Sequence, residues 1–266
     1  MLDLEFAERT DTGKVRSNNE DAMGHVLPMG PAQVQSQGWF FVTADGMGGH
    51  EQGEVASHLA VTTALEGFRK IPKGVMHVSL LPRLVQQANA AVYDAGLATS
   101  LRGGRMGTTF VACALRFDSA VVSHVGDSRC YLFRNGNGTL LTRDHTMAAE
   151  QVRLGILTKE EAATHEGRHV LTRSLGSELF VAADTITVNI LPGDVLLLCT
   201  DGLYGFVPDT KILQIILRNS NLDHAADELI KAADEAGGED NVSVQLIRVK
   251  TVERMGLYRG RPYRLL

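Results

Sequence analysis

The sequence is short of the residue types that would announce several common chemistries. It holds three cysteines, Cys113, Cys130 and Cys199. All three lie in apolar, strand-like runs without metal-ligand spacing, and three cannot all pair with one another. They read as buried free thiols in a reducing compartment, which excludes a disulfide framework and a cysteine-bound zinc. No apolar run approaches the length of a membrane span, and the opening MLDLEFAERTDTGK lacks a basic-then-apolar signal. A soluble, cytoplasmic protein with no membrane span is expected. There is no basic excess: 26 Lys and Arg stand against 31 Asp and Glu, a net charge of −5, so no nucleic-acid partner is expected. Neither His-Glu-x-x-His nor Cys-x-x-Cys is present, and no Cys or Ser elbow offers a covalent nucleophile. Internal repeats and low-complexity tracts are absent too. An apolar content of 44% over 266 residues leaves room for a sizeable core in one large domain or two small ones.

What is present is a repeated ending. Trp39-Phe40-Phe41-Val42 reads as a buried strand that runs into Asp45-Gly46-Met47-Gly48-Gly49-His50. Val195–Thr200 runs into Asp201-Gly202, and Ala120–Val125 into Gly126-Asp127-Ser128. Gly237-Gly238-Glu239-Asp240-Asn241 leads into the strand-like Val242–Val249, and Asn18-Asn19-Glu20-Asp21 precedes another short apolar run. One Asp-Gly after a strand is usually only a turn. Acids at the ends of several buried strands point to one site that gathers carboxylates.

Leu2–Glu8 and Ala22–Leu27 alternate as strands, with turn chemistry at 10–13 and a loop at 28–38. Glu51–Phe68 has helical periodicity, with Val55, Leu59, Thr62 and Leu65 on one face; Val78–Ser100 is a second amphipathic helix. Thr108–Phe117 and Ser119–Val125 are consecutive strands, and Asn135-Gly136-Asn137-Gly138 signals a hairpin. This antiparallel meander argues against a doubly wound parallel sheet. His145–Gly176, polar and irregular, reads either as a flap over a site or as a surface excursion. It contains a capping box at Thr158-Lys159-Glu160-Glu161. Val181–Ile190 and Val195–Thr200 are strands, Pro208–Arg218 and Leu222–Ala236 helices, and Val242–Val249 a last strand. The order implies two packed antiparallel sheets with helices over their outer faces. A tail at 251–266, carrying Arg254, Arg259, Arg261 and Arg264, reads as a docking segment, a surface strap or a frayed end.

Glu20, Asp21, Asp45, Asp127, Asp201 and Asp240 are all oxygen donors, a set that suits Mg2+ or Mn2+ better than Zn2+. Carboxylates gathered without cations repel one another and raise their own pKa values. Two divalent ions would offset that repulsion, activate a water and stabilise displacement at phosphorus. Asp45 is the bridging candidate, because Gly46 lets its own carbonyl reach an ion. Arg16 is the natural phosphate clamp.

Arg16–Asp21, Ala44–His50, Gly107-Thr108-Thr109, Val125–Arg129, Thr200–Leu203 and Glu239-Asp240-Asn241 follow one another in that order. Together they resemble the metal-dependent Ser/Thr protein phosphatases of the protein phosphatase 2C type, in their bacterial form. The resemblance implies an α+β fold, a four-layer αββα sandwich, over residues 1–250, with a flap at about 145–176. It implies water-mediated hydrolysis of phosphoserine or phosphothreonine at two Mn2+ or Mg2+ ions. Asp45 would bridge both ions, Asp201 and Asp240 bind the first, and the Gly46 carbonyl serve the second, with Glu20 and Asp21 acting on its waters. Arg16 would bind phosphate, and Asp127 would match a ligand of a weaker third metal.

Two positions depart from the family pattern. Gly205 stands where members carry a further Asp, which puts the third metal in question. Met47 stands where the animal enzymes carry a general-acid His; His50 is a candidate substitute. The partners implied are phosphoproteins, a Ser/Thr kinase or its substrates. Two other readings stay open, a binding module without turnover and a two-metal hydrolase of nucleotides or small phosphoesters.

Overall fold

The computed structural model describes residues 1–48, 52–100, 106–258 and 261–264. His50 lies outside them, as do Arg259 and most of the linker after the second long helix. In chain order the elements are β1 (Asp3–Asp11), β2 (Asp21–Val26), α1 (Pro31–Ser36), β3 (Trp39–Met47), α2 (Gln52–Arg69) and α3 (His77–Ser100). A meander follows: β4 (Gly107–Thr108), β5 (Phe110–Arg116), β6 (Ser119–Val125), β7 (Arg129–Arg134) and β8 (Asn137–Leu140). The flap carries α4 (Met147–Arg153) and α5 (Lys159–Thr164). The chain ends with β9 (Asp184–Asn189), β10 (Val195–Cys199), α6 (Asp201–Tyr204), α7 (Asp209–Arg218), α8 (Leu222–Glu235), β11 (Val242–Thr251), β12 (Met255–Tyr258) and β13 (Arg261–Arg264).

Two antiparallel sheets form the centre. One runs β1-β11-β10-β7-β8; the other runs β2-β3-β5-β6-β9, with β4 beside β3. Side-chain alternation sorts the strands into three apolar layers. Phe40, Val42 and Ala44 of β3 face α2 and α3, together with Phe110, Ala112 and Ala114 of β5. Val242, Val244 and Leu246 of β11 face α7 and α8. Between the sheets lie Phe41, Val111, Cys113, Cys130, Leu196, Leu198 and Ile247. Helix, sheet, sheet, helix is the expected four-layer order.

Two local expectations are corrected. The loop at 28–38 contains α1, whose proline sits in the first turn, where its missing N–H costs nothing. The buried face of α2 coincides only in part with the expected stripe: Leu59 and Leu65 pack against the core, but Val55 is 48% exposed and Thr62 is exposed, while Ala56, Ser57, Ala60, Val61, Ala64 and Phe68 are buried. Small residues let α2 lie close on β2 and β3, and close packing outranks the bulk of the apolar residue. The tail pairs as a hairpin, β12 with β13. The expected hairpin turn and capping box are present: the β7–β8 turn has Asn135 and Gly136 at φ 51° and 76°, and Thr158 with Glu161 forms the capping box. The three cysteines are free and buried.

Candidate active site

The same alternation aims the acids. Asp45 shares the inward face of β3 with Phe41 and Thr43, and Asp21 lies directly opposite it across the β2–β3 ladder. Both therefore point into the space between the sheets, at the end where β10 passes into α6 and where the loop before β11 arrives. Asp201 is the first residue of α6, Asp240 lies two residues before β11, and Asp127 follows β6 at the turn made by Gly126 (φ 98°).

Close glycines and one asparagine lock these segments together. A Cβ on Gly46 would stand 2.0 Å from the Gly53 carbonyl oxygen, and one on Gly202 2.0 Å from that of Asn241. Asn241 accepts from the Glu20 N–H (2.8 Å) and donates to the carbonyls of Thr12 and Asn18 (2.9 Å each). It thereby ties the acid-bearing loop before β2 to the loop before β11. The Asp45 N–H donates to Thr109 Oγ1 at 2.8 Å, and the Asp45 carbonyl accepts from the Thr109 N–H and the Thr108 hydroxyl.

A cleft of about 520 Å³ opens over this end. Arg16, Glu20, Asp45, Gly46, Asp127, Asp201 and Asp240 all line it. Asp21 does not; only 6% exposed, it lies beneath, its Oδ2 accepting from Thr200 Oγ1 at 2.8 Å. Arg16 is half exposed and donates to Asp240 Oδ2 at 2.9 Å. Gly205 also lines the cleft, without a side chain to offer, and a Cβ there would stand 2.7 Å from the Asp201 carbonyl oxygen. The flap supplies Arg168, His169 and Leu171. Arg168 Nε donates to His169 Nε2 at 2.7 Å, and His169 Nδ1 lies 3.6 Å from Asp201 Oδ2. Sequence reading assigned these flap residues no role, and it missed Asn241 as a staple. The signal available for Asn241 was an amide beside a candidate acid at a strand's start.

The acids are electrostatically strained. Burial, followed by Asp21, Asp201, Asp127 and Asp240, pushes the Asp45 carboxyl well above the usual carboxylate range. Burial raises Asp21 to about 7 despite its hydroxyl partners, with Asp201 and Asp240 adding to the rise. Asp127 also rises to about 7, through burial and then Asp201 and Asp144. Burial raises Glu20 too. Among the described residues, Asp21 Oδ1 and Asp201 Oδ1 are buried without a hydrogen-bond partner. Orphaned carboxylate oxygens, opposed like charges and an all-oxygen donor set fit divalent cations of the Mg2+ or Mn2+ type.

A sandwich with an acid-lined, all-oxygen cleft at one end of its sheets defines a protein built around a candidate divalent-cation site. The model of the family described as protein phosphatase 2C matches residues 13–244. The serine/threonine phosphatase stp of Listeria welshimeri is 37% identical over 257 residues, covering 95% of this chain and 97% of the relative. Protein phosphatase PhpP of Streptococcus pneumoniae is 31% identical, over 92% and 97%. The serine/threonine phosphatase PstP/Ppp of Mycobacterium tuberculosis superposes with a TM-score of 0.83 at 33% identity, over 94% of this chain and all of that one. The PstP catalytic domain in complex with two manganese ions superposes with a TM-score of 0.79 at 32% identity, over 94% and 100%. This chain belongs to the protein phosphatase 2C family, and it is a protein phosphatase. Among the described residues no helix is long and apolar enough to cross a membrane.

Proposed function

We propose that the enzyme hydrolyses phosphoserine and phosphothreonine in proteins, reversing a Ser/Thr kinase, with a pair of Mn2+ or Mg2+ ions held at the acid-lined cleft. The observation that carries the reading is the directly opposed pair Asp21 and Asp45, with Asp201 and Asp240 near enough to raise both carboxyls. Like charges facing each other across a ladder destabilise it unless a cation compensates them. Asp45 would serve both ions, Asp201 and Asp240 the first, and the Gly46 carbonyl the second. Glu20 and Asp21 would hold its waters. Asp127 with Asp201 would offer a weaker third site, where Gly205 contributes nothing. When bound, the ions lower the pKa of a water and draw charge from the phosphoryl oxygens.

The chain's own groups do the rest. Among the described residues the half-exposed Arg16 guanidinium hydrogen-bonds only Asp240, so N–H groups remain for two phosphate oxygens. Its bond to Asp240 fixes the clamp beside that acid. Thr109 and Thr108 hold the Asp45 backbone through three hydrogen bonds, so the carboxylate stays aimed at the cleft. Arg168 and His169 close one wall from the flap. His50 remains the candidate proton donor to the leaving oxygen. Residues 1–250 form the catalytic unit in this reading, acting in the cytoplasm, and 251–266 a tail.

The test is phosphate release from a phosphothreonine peptide with Mn2+ and with chelator, for the wild type and Asp45→Asn. Activity should require the metal and fall by orders of magnitude in the variant. A folded wild type that is inactive across metals and phosphopeptides contradicts the reading.

A further inference from the structure

Beside the flap a second cavity of about 450 Å³ is lined by Leu171, Arg173, Ser174, Phe180, Val181 and Ala182. Leu171 lines the acid-lined cleft as well, so the two spaces adjoin at that residue. The segment 176–181, which forms one rim, is rigidly held. Fully buried Asn89 of α3 accepts from the Gly176 N–H (2.9 Å) and donates to the carbonyls of Glu178 (2.9 Å) and Leu179 (3.1 Å). Gln86 donates to the Leu179 carbonyl (2.9 Å) and accepts from the Val181 N–H (3.3 Å). Gly176 has φ 84°, and a Cβ there would meet Val92 Cγ1 at 2.5 Å, so the turn is tight against α3.

This pinned backbone presents its largest apolar side chain outward. Phe180 is 73% exposed and Leu179 50%. The polar groups beside them are mostly engaged: Arg173 Nη1 donates to Asp184 Oδ1 at 3.0 Å, and the Ser174 and Ser177 hydroxyls bond each other. Within the mixed lining of this shelf, Leu171, Phe180, Val181 and Ala182 offer apolar contact, and Glu178 at the rim disfavours an acidic visitor. A rigid exposed aromatic next to a cleft has the character of an interface anchor.

We propose that this shelf docks an apolar side chain of the phosphoprotein substrate, close in sequence to the phosphorylated residue, and so sets a local sequence preference. The inference rests on the phosphoprotein reading above. A substrate chain whose phosphate lies in the acid-lined cleft would pass Leu171, where the two spaces adjoin, and carry its flanking residues toward Phe180. Burying one Leu side chain against Phe180, Val181 and Leu171 is worth a preference of about tenfold.

The experiment walks a single Leu through about five positions on each side of phosphothreonine in an otherwise Ser- and Gly-rich peptide. The readout is kcat/KM relative to the Ser peptide, with Mn2+, alongside p-nitrophenyl phosphate. One register should exceed the Ser peptide by about tenfold. That ratio should fall below about twofold in Phe180→Ser and return in Phe180→Leu. Equal rates in every register, or a preference that survives Phe180→Ser in a variant that melts like the wild type, overturn the inference while leaving the phosphoprotein reading intact. Hydrolysis of p-nitrophenyl phosphate with no phosphopeptide accepted overturns both.

Discussion

Asp45 illustrates how one residue can be costly to the fold and necessary to the reaction. Its carboxyl is pushed up by burial and by four other aspartates, so the metal-free protein carries unrelieved repulsion. Asp45→Asn should therefore raise the melting temperature of the chelated protein by about 2–4 °C for each kcal/mol relieved. The same substitution abolishes the gain in melting temperature on adding Mn2+. Calorimetry with and without metal checks both, and a metal-free Asn variant less stable than wild type contradicts the electrostatic account. Asn241 predicts the opposite. Its amide joins three backbone segments, and Asn241→Ala leaves the Glu20 N–H and two carbonyls without their partner. A loss of about 1–3 kcal/mol in denaturant unfolding is expected, together with weaker Mn2+ activation.

The flap is tied to the site by His145 at its start. His145 accepts on Nδ1 from the Gly126 N–H (3.1 Å), its N–H donates to the Gly126 carbonyl (3.0 Å), and its carbonyl accepts from the Thr172 N–H (2.8 Å). Both flap ends and the turn bearing Asp127 thus meet at one residue. His145→Ala should speed proteolytic cleavage within 147–170 several-fold, and His145→Asn, whose amide oxygen replaces Nδ1 as acceptor, should restore protection. Equal protection in the two variants contradicts the clamp. Elements of this kind explain what was legible in the sequence. Strands, hairpin turn and capping box follow from local chemistry, and six short motifs in order located the acids. The face of α2 followed only in part, because its contact is made largely by Ala and Ser and its larger Val55 stays outside. The inward aim of Asp21 and Asp45 was also hidden: both faces of β3 are buried, so no polar alternation marks the site side. Arg168 and His169 lie in a single 3-10 turn, Glu166–His169, whose position over the cleft only the folded chain defines.

At the scale of the whole molecule, burial of neutral histidine adds a pH dependence separate from the acids. His77, enclosed beside Phe68 and bonded to the Gln37 carbonyl at 2.8 Å, is lowered to about 4 by burial and by Arg116. Its folded value lies below the unfolded value of about 6.5, so its contribution is fully present above pH ~6.5 and lost as pH falls through ~4. Between those limits the Mn2+-loaded wild type should lose on the order of 3 kcal/mol more than His77→Gln. Parallel stability profiles contradict that account. The layered sandwich brings together acids from five separate parts of the chain, and the central claim is that they do so to hold cations. Anomalous diffraction at the manganese edge from crystals grown with Mn2+ tests this most directly. Two strong peaks, both against Asp45, with Asp201 and Asp240 on one of them, are predicted; an acid cleft without manganese, or manganese bound elsewhere, would contradict it.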